Sequence, residues 1–132
     1  MSETRVLLAF GAEFEGTLRA AHHEVPIGSG KDGALAPYDL MLGALGSCYY
    51  STFTDIAKKM RLQYERAEIA IHGVKRAEVP TSLETVDMVF TIYGVLDSKG
   101  FEHASELAAR HCSVHATISK VAAITLTVQL EK

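Results

Sequence analysis

Two polar residues and a short apolar run, Val6–Phe10, make a strand pattern over Thr4–Phe10, and after a break at Gly11 and Ala12 a second run extends from Glu13 to Val25. This pattern predicts two strands joined as a hairpin. The segment "PIGSGKDGALAP" that follows is dense in glycine and proline and predicts a loop. At Pro37 the periodicity changes. From there to about Met60 the apolar residues Leu40, Met41, Leu42, Leu45, Cys48, Tyr49, Phe53, Ile56 and Met60 fall on nearly every face of a helix, which predicts a long buried one. Pro37 suits the first helical position, where its missing N–H costs nothing, and Asp39 favours the positive end of the helix dipole. Cationic "KKMR" suits the other end.

Alternation returns over Tyr64–Val79 and Ser82–Leu96, on either side of a turn at Pro80, and predicts a half-buried antiparallel pair. Helical spacing resumes over Asp97–Cys112, with Phe101, Ala104, Leu107 and Ala108 on one face. A short helix or turn over Ser113–Val121 leads to a last strand, Ala122–Lys132, in which Ile124, Leu126, Val128 and Leu130 point one way. The fold class is α+β: antiparallel sheets and a long central helix carrying Cys48, in one domain spanning residues 1–132.

Composition narrows the function classes more than it selects one. A chain of 132 residues with 48% hydrophobic content can bury a core. Its net charge of -3, with Lys and Arg scattered, gives no electrostatic reason to expect nucleic acid or a membrane surface as partner. The apolar run near the N-terminus is too short for a secretory signal, and no segment approaches the ~18 apolar residues of a membrane span. A cytoplasmic protein with reduced thiols is expected. "GSGKDG" lacks the Gly-Lys-Ser/Thr ending of a phosphate-binding loop, so nucleotide binding is not expected.

The two cysteines are the candidate chemistry, as free thiols, metal ligands or a redox pair. Packing is the default for Cys48, since cysteine often behaves as a small buried hydrophobe. Gly43 and Gly46 weaken that default. Each costs a helix roughly 0.5–1 kcal/mol relative to Ala and asks for a close neighbour or a ligand in return. A small face formed by Gly43 and Ser47 would also admit a second helix. A reactive Cys48 needs a lowered pKa, from a nearby cation or from a helix start if the helix breaks at Gly46 and Ser47 caps a new one. The sequence leaves both arrangements open. His111 and His115, spaced i, i+4 around Cys112, with His22 and His23 upstream, allow a metal site to be imagined, but no Cys-x-x-Cys or His-Glu-x-x-His supports it.

Two segments together resemble the OsmC/Ohr family, the osmotically inducible and organic hydroperoxide resistance proteins. In "APYDLMLGALGSC", Pro37 and Cys48 keep the family's spacing between a proline and its reactive cysteine. "HCSVHATISKVAAITLTVQL" is similar to the family's second cysteine element and final strand, with Ser113 where proline is common. The resemblance implies an intertwined homodimer and a thiol-dependent peroxidase for small organic hydroperoxides, acting in oxidative stress defence. Cys48 would be the peroxidatic residue and Cys112 the resolving one, with an external dithiol as reductant and no metal, haem or flavin. An apolar lining from Leu42, Leu45, Tyr49 and Phe53 would favour organic peroxides. Well-characterised members carry a glutamate after the proline and an upstream loop arginine. Here Tyr38 and Asp39 follow Pro37 and the upstream arginine is Arg19, so these three are the possible supporting residues and the chain resembles the divergent OsmC-like subgroup. Two other functions compete: a non-catalytic OsmC-like protein that binds a small ligand, and a hot-dog thioesterase with Asp39 as base.

Overall fold

A computed structural model describes residues 2–132. By its internal contacts the chain divides into two units, residues 1–43 and 44–132. The first carries strands β1 (Leu7–Phe10), β2 (Gly16–Ala20) and β3 (His23–Ile27), in an antiparallel sheet of order β1-β2-β3. One strand was expected over Glu13–Val25, and two are present. The chain reverses at Ala21 and His22, with Ala21 in the left-handed region at φ 53°. No glycine, proline or asparagine marks that turn in the sequence, so nothing there separates the two strands. Arg19 and Glu24 face each other across the turn as register partners.

Helix α1 (Pro37–Lys59) starts in the first unit and continues into the second without a break at Gly46. Its start is capped locally: the Asp39 carboxylate accepts the Ala36 backbone N–H at 2.9 Å, half of a capping box. The sequence predicted a helix buried on nearly every face. Only a stripe at four-residue spacing is buried, Leu45, Tyr49, Phe53 and Ala57, while Met41 and Met60 are exposed. Gly46 is explained by close approach, since a Cβ there would lie 3.1 Å from Ile71 Cδ1; a Cβ on Gly43 would meet nothing within 4 Å.

In the second unit α1 is followed by β4 (Arg66–Lys75), β5 (Leu83–Tyr93), α2 (Phe101–His111), α3 (Ser113–Ser119) and β6 (Ala123–Leu130). β4 and β5 pair antiparallel, as the alternation predicts. β6 pairs with β5 in parallel, so this sheet is mixed rather than antiparallel throughout. The connection explains the direction: β5 and β6 are joined by α2 and α3, and a helical crossover returns the chain parallel to the strand it left. β5 is the central strand and buries Val86, Met88, Phe90 and Ile92 at every second position.

Phe90 is the hub of the core. Its ring lies 4.8 Å from Phe53, 5.3 Å from Tyr49 and 6.2 Å from Tyr50, each edge to face. α2 closes the core with Phe101, Ala104, Ser105 and Ala108. Ser105 takes the buried place expected for Leu107, and burial of its hydroxyl is tolerated because it donates to the Phe101 carbonyl at 2.7 Å. The Ser105 carbonyl in turn accepts the Tyr49 hydroxyl at 3.0 Å, which ties α1 to α2 one residue beyond Cys48.

Candidate active site

Cys48 and Cys112 meet in the second unit. Because Tyr49 points into the core, its neighbour Cys48 lies at the edge of the buried stripe and is partly accessible. Cys112 is fully buried at an elbow where α2 ends and α3 begins. Its extended backbone, φ -75° and ψ 118°, serves both helices. Its N–H completes α2 on the Ala108 carbonyl at 2.9 Å, and its sulfur caps α3 by accepting the His115 N–H at 3.4 Å. Both thiols are free, and each shifts the other's ionisation.

The elbow treats the two sulfurs oppositely. The Val114 backbone N–H donates to Cys48 and is the main cause of its lowered pKa; burial opposes this, and the Cys112 thiol and the Ser113 hydroxyl and N–H assist. Cys112 moves the other way, its thiol pushed up first by burial and further by its hydrogen bond to Cys48 and the charge there. Of the two thiols, Cys48 is therefore the one that gives up its proton more readily. Burial also holds the Tyr49 hydroxyl above its ordinary range and lowers His115, leaving that imidazole neutral at pH 7.

The lowered pKa at Cys48 was expected to require a cation or a helix start at Ser47. It comes instead from backbone amides of another element. Ser113 and Val114 are the site residues that sequence reasoning missed. Their signal was present in "HCSVHAT", where a small polar residue after cysteine can open a short helix, but a backbone donor has no residue type to search for. Ser113 Oγ lies 3.8 Å from Cys48 Sγ.

The other candidates divide. Asp39 caps α1, as above, which gives its carboxylate a structural task. Tyr38 lies half-buried in the first turn of α1. Arg19 is exposed on β2, where its Nε donates to Glu24 at 2.9 Å. Leu45, Tyr49 and Phe53 support α1 from within the core and do not line an accessible pocket. His111 ends α2 while His115 lies in α3, so their spacing does not place them on one helix. Among the described residues no cluster of three His, Cys, Asp or Glu is arranged to hold a metal ion. No helix among them is long and apolar enough to cross a membrane.

A profile of the OsmC-like protein family matches residues 29–127, a stretch that contains both cysteines and the elbow. The chain belongs to the OsmC-like family. Protein YhfA of Escherichia coli is 26% identical over 125 residues, 93% of each chain. An OsmC-like fold is also seen in solved structures. A hypothetical protein of Aquifex aeolicus superimposes with a TM-score of 0.88 at 24% identity, covering 100% of this chain and 99% of its own. An organic hydroperoxide resistance protein of Legionella pneumophila does so with a TM-score of 0.75 at 16% identity, covering 98% of each chain. The α+β architecture of the OsmC-like chain is thus shared with proteins of diverged sequence.

Proposed function

We propose that this OsmC-like protein is a thiol peroxidase that reduces organic hydroperoxides through Cys48 and Cys112. The observation that carries this is the split pair: a partly accessible free thiol with lowered pKa beside a buried free thiol whose pKa is raised, each acting on the other's ionisation. Two thiols of opposite tendency suit two successive roles. The Cys48 thiolate attacks the outer oxygen of the hydroperoxide, the O–O bond breaks, and the alkoxide leaves and takes a proton from water. Cys48 becomes a sulfenic acid. The Cys112 thiol then attacks that sulfur and gives up its proton, hydroxide departs as water, and a disulfide forms. An external dithiol reduces it and restores both thiols. The Legionella neighbour's description as an organic hydroperoxide resistance protein supports the substrate class.

Asp39's role as a helix cap supports thiol chemistry over a thioesterase in which it would be the base. The working form is a homodimer in the cytoplasm. The exposure of Leu7, Leu8 and Phe10 on β1 supports an oligomer, because a soluble protein gains by covering such a cluster. The test is consumption of tert-butyl hydroperoxide by the purified protein with excess dithiothreitol. Wild type should turn over and Cys48→Ser should fall to the uncatalysed background. Equal rates for the two would end the peroxidase reading.

A further inference from the structure

The Ser113 hydroxyl, which assists the lowered pKa of Cys48, has no part in the reaction steps described so far. Ser113 Oγ is 3.8 Å from Cys48 Sγ, within hydrogen-bond reach for sulfur. Its backbone is well fixed. The residue before it is bonded to Ala108, and its own carbonyl accepts the Thr117 hydroxyl at 3.0 Å. The hydroxyl is therefore carried on the same elbow that holds Cys112. A thiol and an alcohol can exchange donor and acceptor roles, but a thiolate has no proton and can only accept. Ionisation of Cys48 thus fixes the direction, with Ser113 as donor, and a bond to an ionised acceptor is stronger than one between neutral groups.

We propose that Ser113 is a catalytic residue of the thiol site, whose hydroxyl donates to the Cys48 thiolate, holds that sulfur toward the elbow, and lets go once it is oxidised. This rests on the peroxidase reading and gives its first step a further participant. While Cys48 is anionic the O–H bond to sulfur favours the attacking form. When the S–O bond forms and the peroxide O–O bond breaks, the sulfur loses two electrons to the substrate and its full negative charge disappears. The bond from Ser113 weakens, and the sulfenyl sulfur is free to meet Cys112, whose proton leaves with the hydroxide as water. The titratable group facing Cys48 from the elbow is Cys112, itself engaged by the His115 N–H. The Ser113 and Val114 amides are backbone groups and survive any change of the Ser113 side chain, so the hydroxyl can be removed by itself. Ser113 is exposed, and truncating it removes little packing.

The experiment is alkylation of Cys48 by iodoacetamide across pH, followed at the Cys48 peptide by mass spectrometry, in wild type, Ser113→Ala, Ser113→Thr and Ser47→Ala. Ser47 adjoins Cys48 in sequence, but its hydroxyl donates to the Ala44 carbonyl at 3.2 Å. Ser113→Ala should raise the midpoint by about half a pH unit to one unit and slow alkylation at neutral pH about three- to tenfold, as loss of a donor to a charged group predicts. The deficit should close at alkaline pH, where Cys48 is ionised without help. Ser113→Thr should restore the midpoint and Ser47→Ala should leave it in place. An unmoved midpoint in Ser113→Ala, or a deficit of the same size at every pH, overturns the inference. Because this assay uses no peroxide, the two claims fail separately. An unmoved midpoint beside Cys48-dependent turnover rejects Ser113 and keeps the peroxidase, whereas a shifted midpoint without turnover keeps the contact and rejects the peroxidase.

Discussion

Cys48 and Cys112 influence each other's ionisation, yet one is partly accessible with its pKa lowered while the other is buried with its pKa raised. The elbow between α2 and α3 produces both effects. It aims the Val114 and Ser113 amides at Cys48 and, by the same bend, seals Cys112 beneath α3 as its cap. The contrast teaches that a reactive thiol can be made by backbone direction, with the electrostatic work done by N–H groups. An opposite charge brought from a side chain is one solution among several.

The contrast depends on the core that holds α1 against the elbow, so removing the hub should have the largest effect. Phe90→Ala deletes a ring in contact with Tyr49, Tyr50 and Phe53. It should cost about 3–5 kcal/mol in denaturant unfolding, and Cys112 should then be alkylated nearly as readily as Cys48. Retained wild-type stability would show that the aromatic cluster does not hold the two thiols in their different states.

Cys112→Ser breaks the contrast on one side only. The first oxidation of Cys48 by an organic hydroperoxide should proceed, but with no resolving thiol the residue should accumulate as sulfenic acid and then sulfinic acid, visible by dimedone trapping and mass. Clean recovery of reduced Cys48 would remove Cys112 from the reaction.

The pH dependence sharpens the comparison without changing the thiol that is attacked. In the native protein iodoacetamide should label Cys48 in preference to Cys112, by at least about tenfold, and should begin to do so below the ordinary thiol pKa of about 8.5. The linkage signs are opposite for the two groups. Cys48 has a folded pKa below its unfolded value, so its contribution to stability is full above the unfolded pKa and is lost as pH falls through the folded one. Cys112 has a folded pKa above its unfolded value, so its contribution is present below the unfolded pKa and is lost as pH rises through the folded one. Cys48→Ser should erase the first dependence and weaken the second, which keeps only the part due to burial of Cys112, as read in urea unfolding between pH 6 and 10.

The smallest effect is expected away from the thiols. Asp39→Ala removes the acceptor for the Ala36 N–H and should cost about 1 kcal/mol of stability while peroxide turnover stays near wild type. A collapse of activity at preserved stability would return Asp39 to the chemistry.

Much of this was legible in the sequence. The strand pair β4 and β5, helix α1 from Pro37, and the small-residue context of both cysteines follow from periodicity and caps. The hairpin between β2 and β3 was hidden because Ala21 and His22 carry no turn signal, and the parallel pairing of β6 depends on a crossover that periodicity does not encode. At the site, the cysteines were visible as residue types. What sets them apart was not, since the amides of Ser113 and Val114 exist in any sequence and acquire meaning only when the elbow turns them toward Cys48.

Two thiols that act in sequence on one oxidant must end as a disulfide when no reductant is present. Treating the reduced protein with one equivalent of an organic hydroperoxide, without reductant, and mapping its peptides tests this directly. The expected product is a Cys48–Cys112 disulfide with loss of the two thiol hydrogens. Recovery of both cysteines as free thiols, or of oxidised Cys48 beside an unreacted Cys112, would contradict it.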